Sequence, residues 1–361
     1  MTENIHICDE ELLIDHPRFK KIGYPKKNLL FSAPVQSKNY YDFFNNYAKS
    51  NYKYNSTNCI CGANNDQMLS KSDRFGFEYH TVICKNCGLI RGKEYFTDED
   101  VSDFYTNYYW KVESSDDQDD HDQPEEAYIK TYNSSKDKAD LIKRYIDKSL
   151  GQKTIIDIGG RVGGLLGHFQ KDYNVVLADY FKPYLKYARQ KGMEIIEGGL
   201  SEVNFKPDVI ILSHVVEHWN NFEREIVNLI KIQKKNVTLT YVEFPGIDSL
   251  KLGRRDADVL GDIYVPHMYY FTSYVFEDIM QRHGFEKVYL DSEIRGIFRY
   301  TGSIKKEIKN NFLAVKNDLL EAEKKRLKFN ILSKIRQMLP KFILNIIRFS
   351  ITFFSSLMFT K

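Results

Sequence analysis

Cysteine is scarce in this 361-residue chain: there are five, and four of them fall in two close pairs. So few cysteines do not make a disulfide framework, and close pairs are typical of metal ligands in a reducing compartment. The opening residues, MTENIHICDEEL, contain neither the basic stretch nor the apolar stretch of a secretory signal. The sequence therefore predicts a cytoplasmic protein that contains no structural disulfides.

Acidic residues are absent from residues 324–361, which carry nine Lys and Arg side chains, although the whole chain has a net charge of only +3. Charge concentrated at one end indicates a local anionic partner and argues against a nucleic-acid footprint over the whole body. Within this tail, 342–359 is mostly apolar, and 18 helical residues span roughly 27 Å, short of a ~30 Å hydrocarbon core. Arg348 interrupts this apolar run. The polar residues within 342–359 recur at helical spacing and would form one polar stripe along a helix.

The tail is therefore predicted to form a helix that lies on an anionic membrane surface, at the inner face of the membrane. A helix packed on the body or on a second subunit is the alternative. The composition changes along the chain predict five segments. These are an N-terminal irregular extension (1–56), a cysteine module (57–112), an acidic linker or lid (113–134), an α/β domain (135–303) and a basic amphipathic helical tail (304–361).

Hydrophobic periodicity within the α/β domain predicts alternating strands and helices. The predicted strands are 154–158, 174–179, 193–197, 208–213 and 236–243, the predicted helices are 163–171, 182–191, 217–233 and 272–283, and a late hairpin pairs 285–290 with 295–302. This order favours a mostly parallel sheet with helices on both faces. A further helical pattern precedes the sheet within 134–150.

A glycine-dense turn follows the first strand of this domain and carries its main functional signal. Asp157 ends the strand, and Gly159, Gly160, Gly163 and Gly164 follow. Glycines at this point allow tight turns and the close approach of a ligand. A carboxylate at the end of the strand would repel a pyrophosphate but would suit a cationic ligand. The next strand ends in a second acid, which could accept hydrogen bonds from the hydroxyls of a ribose.

This pattern resembles the first motif of the class I S-adenosylmethionine (SAM)-dependent methyltransferases. Two later segments, 207–221 and 267–288, resemble the same family, and the similarity spans roughly 135–303. It implies a Rossmann-like seven-stranded sheet and a SAM site. The residues implied for that site are Asp157, Gly159, Gly160, Arg161, Gly163, Asp179, Tyr180, Gly199, Leu200 and Ser213. Arg161 stands where the family has its middle glycine, so it would either crowd the site or reach the carboxylate of SAM.

Histidine and glutamate side chains cluster after the fourth predicted strand. His214, Glu217 and His218 would share one face of a helix if the helix begins there. Three interpretations remain open: a catalytic base, most simply His214 or His218; a divalent metal site; or residues that only cap and orient the helix. His267, ahead of the next helix, is a second candidate base.

The two cysteine pairs predict a structural zinc site. Cys59 and Cys61 form one pair, Cys84 and Cys87 the other, and a glycine follows each pair. Four thiolates satisfy tetrahedral zinc and leave no open coordination position. This module resembles the zinc-binding domain fused to a subset of methyltransferases that includes sugar-modifying enzymes. The aromatic cluster that follows it would then stack on a sugar ring or form part of the interdomain core; it comprises Tyr105, Tyr108, Tyr109 and Trp110.

Together these patterns predict a SAM-dependent methyltransferase that acts on an oxygen or carbon of a small molecule. The resemblance implies a sugar, nucleotide-sugar or lipid-linked glycan of surface polysaccharide biosynthesis as the acceptor. Two alternatives remain, a nucleic-acid methyltransferase and a non-catalytic SAM-binding scaffold subunit. The segment after the fourth strand lacks the Asn/Asp-Pro-Pro-Tyr pattern of many base-modifying enzymes, so nucleic acid is not expected as a partner. The oligomeric state is left open.

Overall fold

The computed structural model describes residues 12–14, 17–21, 34–113, 123–146 and 153–338. Its strands form sheets of two, four and seven strands. In chain order the strands are β1 (Tyr54–Ser56), β2 (Asp66–Ser72), β3 (Glu78–Cys84), β4 (Ile90–Gly92), β5 (Glu94–Phe96), β6 (Thr154–Ile158), β7 (Asn174–Asp179), β8 (Glu194–Glu197), β9 (Val209–Ser213), β10 (Leu239–Glu243), β11 (Tyr269–Tyr270), β12 (Phe285–Leu290) and β13 (Arg295–Tyr300).

The α-helices are grouped around these sheets. They are α1 (Pro17–Lys20), α2 (Pro34–Asp42), α3 (Lys49–Asn51), α4 (Asp98–Asp103), α5 (Tyr109–Glu113), α6 (Pro124–Ser134), α7 (Lys136–Tyr145), α8 (Lys182–Gln190), α9 (Phe222–Lys231), α10 (Val259–Asp262), α11 (Ser273–Arg282) and α12 (Phe312–Met338). Short π-helical stretches at Phe43–Ala48 and Phe104–Tyr108 join α2 to α3 and α4 to α5.

The seven-stranded sheet has the order β12-β13-β10-β9-β6-β7-β8. β10, β9, β6, β7 and β8 are parallel neighbours, whereas β13 pairs antiparallel with both β10 and β12. The central strands are runs of β-branched and aliphatic residues because helices cover both faces; residues 209–212 are completely buried. The predicted α/β fold is confirmed, and so is the late hairpin at the sheet edge.

Two predicted helices differ from the structure. Residues 163–171 form turns with a single 3₁₀ turn at Leu166–His168, because Gly163 adopts a left-handed conformation that an α-helix cannot contain. The helix predicted over 217–233 begins only at Phe222, where the Asn221 side chain accepts a hydrogen bond from the main-chain N–H of Arg224. Both differences lie beside the carboxyl edge of the sheet.

Two segments that were predicted to be irregular contain helices. Pro34 to Asn51 is helical throughout, and its Tyr40 ring stacks on Phe75 with centroids 5.4 Å apart. Part of the predicted acidic linker forms α6, in which Thr131 and Tyr132 pack against the glycine turn. In both segments, contacts with the rest of the fold override a locally polar sequence.

The cysteine module joins the α/β domain through shared backbone pairing. β4 of the module pairs antiparallel with β11, so that Arg91 lies opposite Tyr269. The Tyr95 hydroxyl also donates to the Pro266 carbonyl at 2.9 Å. This pairing brings the module segment α4–α5 over the carboxyl edge of the large sheet, where it becomes one wall of a cavity.

The helix α12 occupies the start of the predicted tail. Its first half packs on the body, since Val315, Leu319 and Ala322 are completely buried. This supports the alternative of a body-packed helix for that half. The apolar run 342–359 lies outside the described residues. Among the residues described, none of the helices combines the length and apolar character needed to cross a bilayer.

Candidate active site

A cavity of about 680 Å³ opens at the carboxyl edge of the seven-stranded sheet. β6, β7 and β9 place Asp157, Asp179 and Ser213 at this edge, and all three line the cavity. Open α/β sheets bind ligands at this edge, and the volume lies within the range of small-molecule sites. The strand-end acids are therefore positioned by the topology of the sheet.

Nine of the ten residues predicted to hold SAM line this cavity. They are Asp157, Gly159, Gly160, Arg161, Asp179, Tyr180, Gly199, Leu200 and Ser213. The tenth, Gly163, lies outside it and serves packing: a Cβ there would approach Met193 Sδ to 2.7 Å. At the next residue, Gly164, a Cβ would come within 2.0 Å of Thr131 Oγ1 in α6. Gly163 therefore makes room for Met193, and Gly164 makes room for α6.

Arg161 adopts the left-handed conformation that a glycine would favour, with φ +55°. Its main-chain N–H donates to Asp179 Oδ2 at 2.9 Å, and the N–H of Phe181 donates to Oδ1 at 2.9 Å. The Arg161 side chain is exposed. Because a carboxylate oxygen can accept two hydrogen bonds, Asp179 is fixed by the main chain yet retains acceptor capacity toward the cavity.

Burial raises the pKa of both strand-end acids. The pKa of Asp179 is raised by desolvation, which outweighs the N–H groups of Phe181 and Arg161. The pKa of Asp157 is raised to about 8 by desolvation, although the nearby Lys138 ammonium opposes that rise. Among the described residues Asp157 Oδ1 has no hydrogen-bond partner. A buried acceptor of this kind fits a ligand that brings a cationic donor.

A polar network beside Asp157 was missed by sequence reasoning. The Lys138 ammonium lies 2.6 Å from Glu243 Oε2 and donates to Ser213 Oγ at 3.3 Å, while Ser213 Oγ donates to Glu243 at 3.0 Å. Glu243 ends β10, so the strand-end rule that identified Asp157 could also have identified it. Lys138 lies in α7, before the sheet begins, and no local pattern marks it.

His214, Glu217 and His218 do come together, but not on one face of a helix. A 3₁₀ turn, Val216–His218, brings them close, because the helix begins four residues later. His214 Nδ1 lies 3.3 Å from Glu217 Oε1; the Glu217 side chain is 2% exposed, whereas that of His214 is 52% exposed. Burial lowers the pKa of His214, but the hydrogen bond and negative charge of Glu217 outweigh it and raise the pKa overall.

The other two histidines pack behind His214. The rings of His218 and His267 meet edge to face with centroids 4.6 Å apart. His218 Nδ1 lies 2.7 Å from the Tyr105 hydroxyl and 3.0 Å from the Pro266 carbonyl. Burial lowers the pKa of His267 well below its usual range. Ligand atoms of Glu217, His218 and His267 lie within 4.8 Å of one another, whereas the metal site considered from the sequence contained His214 in place of His267.

The cysteine module supplies the aromatic wall of the cavity. Tyr105 and Tyr109 line it together with Tyr264 from the α/β domain. Tyr108 packs instead on Phe43, with ring centroids 4.9 Å apart. The aromatic cluster after the module is therefore divided between the cavity wall and the core. Polar side chains complete this part of the lining: Asp98, Ser102, Asn220 and Arg224.

The four paired cysteines form one cluster, as the sequence predicted. Cys59 Sγ lies 3.3 Å from Cys87 Sγ, Cys61 Sγ lies 3.7 Å from Cys84 Sγ, and all four sulfurs lie within 4.8 Å of one another. Tetrahedral zinc with 2.3 Å bonds requires S–S separations of about 3.8 Å. Both following glycines have φ above +80°, as turns around a metal require. The donor set and its geometry fit structural zinc.

Comparison with known proteins gives a family match over part of the chain. Residues 128–290 match the family model described as a methyltransferase domain. Among curated proteins, none matches the chain. Solved structures with a similar fold include a putative methyltransferase from Bacillus halodurans, at 16% identity, TM-score 0.34, covering 44% of this chain and 71% of that one.

Two further similar structures are of proteins named as methyltransferases. Magnesium protoporphyrin IX methyltransferase from Synechocystis PCC 6803, with bound SAM, shows 14% identity, TM-score 0.37 and coverage of 55% of this chain and 94% of that chain. A possible histamine N-methyltransferase from Thermotoga maritima shows 16% identity, TM-score 0.36 and coverage of 50% and 89%. Such low similarity transfers neither substrate nor activity to this chain. Residues 128–290, slightly less than half of the chain, therefore carry the match to a methyltransferase domain.

Proposed function

We propose that the chain transfers the methyl group of SAM to a hydroxyl oxygen, or a carbon, of a sugar, nucleotide-sugar or lipid-linked glycan. The observation that carries this proposal is the cavity itself. It joins the strand-end acids Asp157 and Asp179 at one side to His214 and an aromatic wall at the other. A methyltransferase needs both parts, one for the methyl donor and one for the acceptor.

The first part of the cavity fits SAM. Asp179 has acceptor capacity for ribose hydroxyls, and the unpartnered oxygen of Asp157 suits the ammonium at the methionine end. Gly159 has φ +67°, and a Cβ there would meet Val215 at 3.0 Å, so only glycine keeps this turn unstrained beside the site. When bound, SAM supplies an electrophilic methyl group on a sulfonium. The residues of the chain hold it and align the acceptor.

The second part supplies a candidate base. In the tautomer that donates from Nδ1 to Glu217, the His214 Nε2 lone pair remains available for the proton of an acceptor hydroxyl. Glu217 raises the pKa of this imidazole, which favours its acceptance of a proton as a general base. Glu217 touches neither substrate by this account; it positions His214 and stabilises its protonated form.

A sugar acceptor is supported by the composition of the cavity wall. Tyr105 and Tyr109 offer aromatic surface that can pack on the apolar face of a pyranose ring. Tyr264 also borders the cavity, but the Arg74 guanidinium stacks on its ring at 3.9 Å. Asp98, Asn220 and Arg224 are hydrogen-bonded to one another and form a polar rim that can meet sugar hydroxyls. Because the module contributes Asp98, Tyr105 and Tyr109 to this wall, its role includes shaping the acceptor site.

We also propose that Cys59, Cys61, Cys84 and Cys87 hold a structural zinc ion. A four-thiolate site leaves no coordination position open for substrate. Gly88, in the turn of the second pair, lies against α12, where a Cβ would approach the Asn311 carbonyl carbon to 2.9 Å. The metal would therefore fix the turn on which α12 begins.

The acceptor class can be tested by incubating the full chain with SAM labelled in its methyl group. The panel contains nucleotide-sugars, oligosaccharides, transfer RNA and DNA, and His214→Gln serves as the catalytic control. Label in a sugar product, reduced in the variant, supports the proposal. Label only in nucleic acid, or SAM binding without transfer to any acceptor, contradicts it.

A further inference from the structure

The helix α12 changes character at Arg326. Up to that residue one face is buried against the body, and Arg326 itself is buried in an ion pair with Glu323 at 2.6 Å. Glu323 in turn pairs with Arg18 at 2.8 Å, so this stretch is fixed by buried charges as well as apolar contacts. The helix then continues to Met338. Arg326 is the last buried residue among the described side chains of this helix.

Beyond this point apolar side chains face solvent. Leu327, Phe329 and Ile331 are 47%, 37% and 58% exposed. Leu252 on the body is 69% exposed, and the Phe329 ring lies beside the adjacent Gly253, where an added Cβ would come within 3.6 Å of it. Isolated exposed apolar residues are normal on a protein surface. Several of them on one stretch of a helix indicate a surface that binds another molecule.

The same end of the helix is basic. Lys324 and Lys328 are exposed one turn apart, and Leu327 and Ile331 are likewise one turn apart on the neighbouring stripe. From Lys324 to the last residue of the sequence the chain has nine basic and no acidic side chains. The 23 residues that follow α12 in the sequence are mostly apolar and basic. The occupant of this surface must therefore accept both apolar and cationic groups.

These properties discriminate between occupants. A second copy of the chain would bring the same positive segment against this one, which like-charge repulsion disfavours. An acidic protein surface would satisfy the lysines but not the apolar side chains. An anionic bilayer offers both negative headgroups and an apolar interior within a few ångströms of each other.

We propose that residues 324–331, together with Leu252, form the part of this protein that docks on an anionic membrane surface. In this arrangement α12 connects the catalytic body to the bilayer. Leu327 and Ile331 enter the headgroup region, and Lys324 and Lys328 remain at the level of the phosphates. The docking surface does not depend on the proposed reaction.

The test is co-sedimentation of the full chain with vesicles of phosphatidylcholine, with and without about one third phosphatidylserine. The charge variant Lys324→Gln/Lys328→Gln is compared with the matched control Lys186→Gln/Arg189→Gln, whose two exposed cations lie in α8. The apolar variant Leu327→Ser/Ile331→Ser is compared with Leu313→Ser, an exposed leucine at the other end of α12.

We expect binding to the anionic vesicles that falls with salt and is weak on the neutral ones. The charge variant should bind about 25-fold more weakly, since each lysine near such a surface contributes about fivefold. The apolar variant should lose on the order of tenfold per side chain, and both controls should bind as the wild type does. SAM binding, measured in parallel, should be unchanged in all variants, which separates this proposal from the methyltransferase activity.

Three results would overturn the proposal. The first is an absence of binding to anionic vesicles at low salt. The second is an equal loss of binding in the control variants and in the docking variants. The third is a wild-type chain that does not bind vesicles and that forms a dimer in sedimentation velocity, when Leu327→Ser/Ile331→Ser abolishes the dimer. The surface would then be an interface with a second copy of the chain.

Discussion

The main-chain N–H of Arg161 donates to the Asp179 carboxylate at 2.9 Å, so the residue that replaces the family's middle glycine positions the strand-end acid. The contact uses the main chain, and the Arg161 side chain is exposed. An arginine at this position therefore does not exclude a ligand. The arginine does introduce backbone strain, because a residue with a Cβ adopts a φ of +55° there.

That strain gives the first prediction. Arg161→Gly and Arg161→Ala both remove the side chain, but only glycine relieves the left-handed conformation. We expect the glycine variant to be about 1 kcal/mol more stable than the alanine variant in urea unfolding. An alanine variant of equal or greater stability would contradict the positive φ at this residue. Both variants should bind SAM, since the N–H to Asp179 is retained.

The second prediction concerns the pH dependence of SAM binding. The pKa of Asp157 is raised to about 8 by burial, so its carboxyl group is protonated at neutral pH. A cationic ligand favours the ionised form and must displace this proton. As pH is raised toward 8, we expect the affinity for SAM to increase by up to about tenfold per pH unit. Calorimetry in buffers of different ionisation enthalpy should detect proton release, and Asp157→Asn should show none.

The third prediction concerns the folding stability of the ligand-free chain. Ionisation of Asp157 should lower this stability as pH rises, although it raises SAM affinity. Because the folded pKa of about 8 exceeds the ordinary value of 3.8, the folded state binds the extra proton between these values. Stability contributed by that proton is present at low pH and is lost as pH rises toward 8. Asp157→Asn should reduce this loss in melting curves measured from pH 5 to pH 9. An unchanged pH dependence in the variant would contradict the account.

The fourth prediction separates the base from its positioning residue. His214→Gln should lower kcat by roughly 10²- to 10⁴-fold without changing SAM affinity. Glu217→Gln removes the charge that raises the pKa of His214, so the acidic limb of the pH–rate profile should move to lower pH. The profile itself is the measurement, since a merely structural role for Glu217 would lower the rate at every pH without moving the limb. A His214→Gln variant with kcat within about tenfold of wild type would remove His214 as the base.

The fifth prediction tests the cysteine cluster. Wild type and Cys8→Ser should each hold one zinc ion per chain, because Cys8 belongs to neither pair. Cys84→Ser should lose the metal and melt at a lower temperature, since three ligands no longer complete the site. A chelator should lower the melting temperature of the wild type and leave that variant unchanged. Equal zinc content in Cys84→Ser and wild type would contradict the assignment.

The sequence predicted those parts of the site that depend on local pattern. Asp157 and Asp179 follow β-branched runs, and the ends of neighbouring parallel strands meet at one edge of the sheet. Their proximity could therefore be predicted from the sequence. The cysteine pairs predicted their cluster for a similar reason, because two turns with fixed spacing can share one ion. In both cases a short sequence motif determines the geometry.

The rest depends on contacts between distant segments. Tyr105 reaches His218 only because β4 pairs with β11, and no local pattern encodes that pairing. Lys138 in α7 reaches Glu243 at the end of β10 across about one hundred residues of sequence, and no local pattern marks that contact either. The late start of α9 could have been predicted from the sequence. Asn221 is a typical N-cap residue, but the helix was predicted from the apolar pattern over 217–233, which begins before it.

Calorimetric titration of the full chain with SAM tests the central claim most directly. The account predicts one site per chain, and Asp179→Asn should weaken binding at least about tenfold, since a hydrogen bond to a charged group is lost. Asp172→Asn, which changes an exposed acid just before β7, should bind as the wild type does. No heat at millimolar SAM, or equal affinity in Asp179→Asn and wild type, would contradict it.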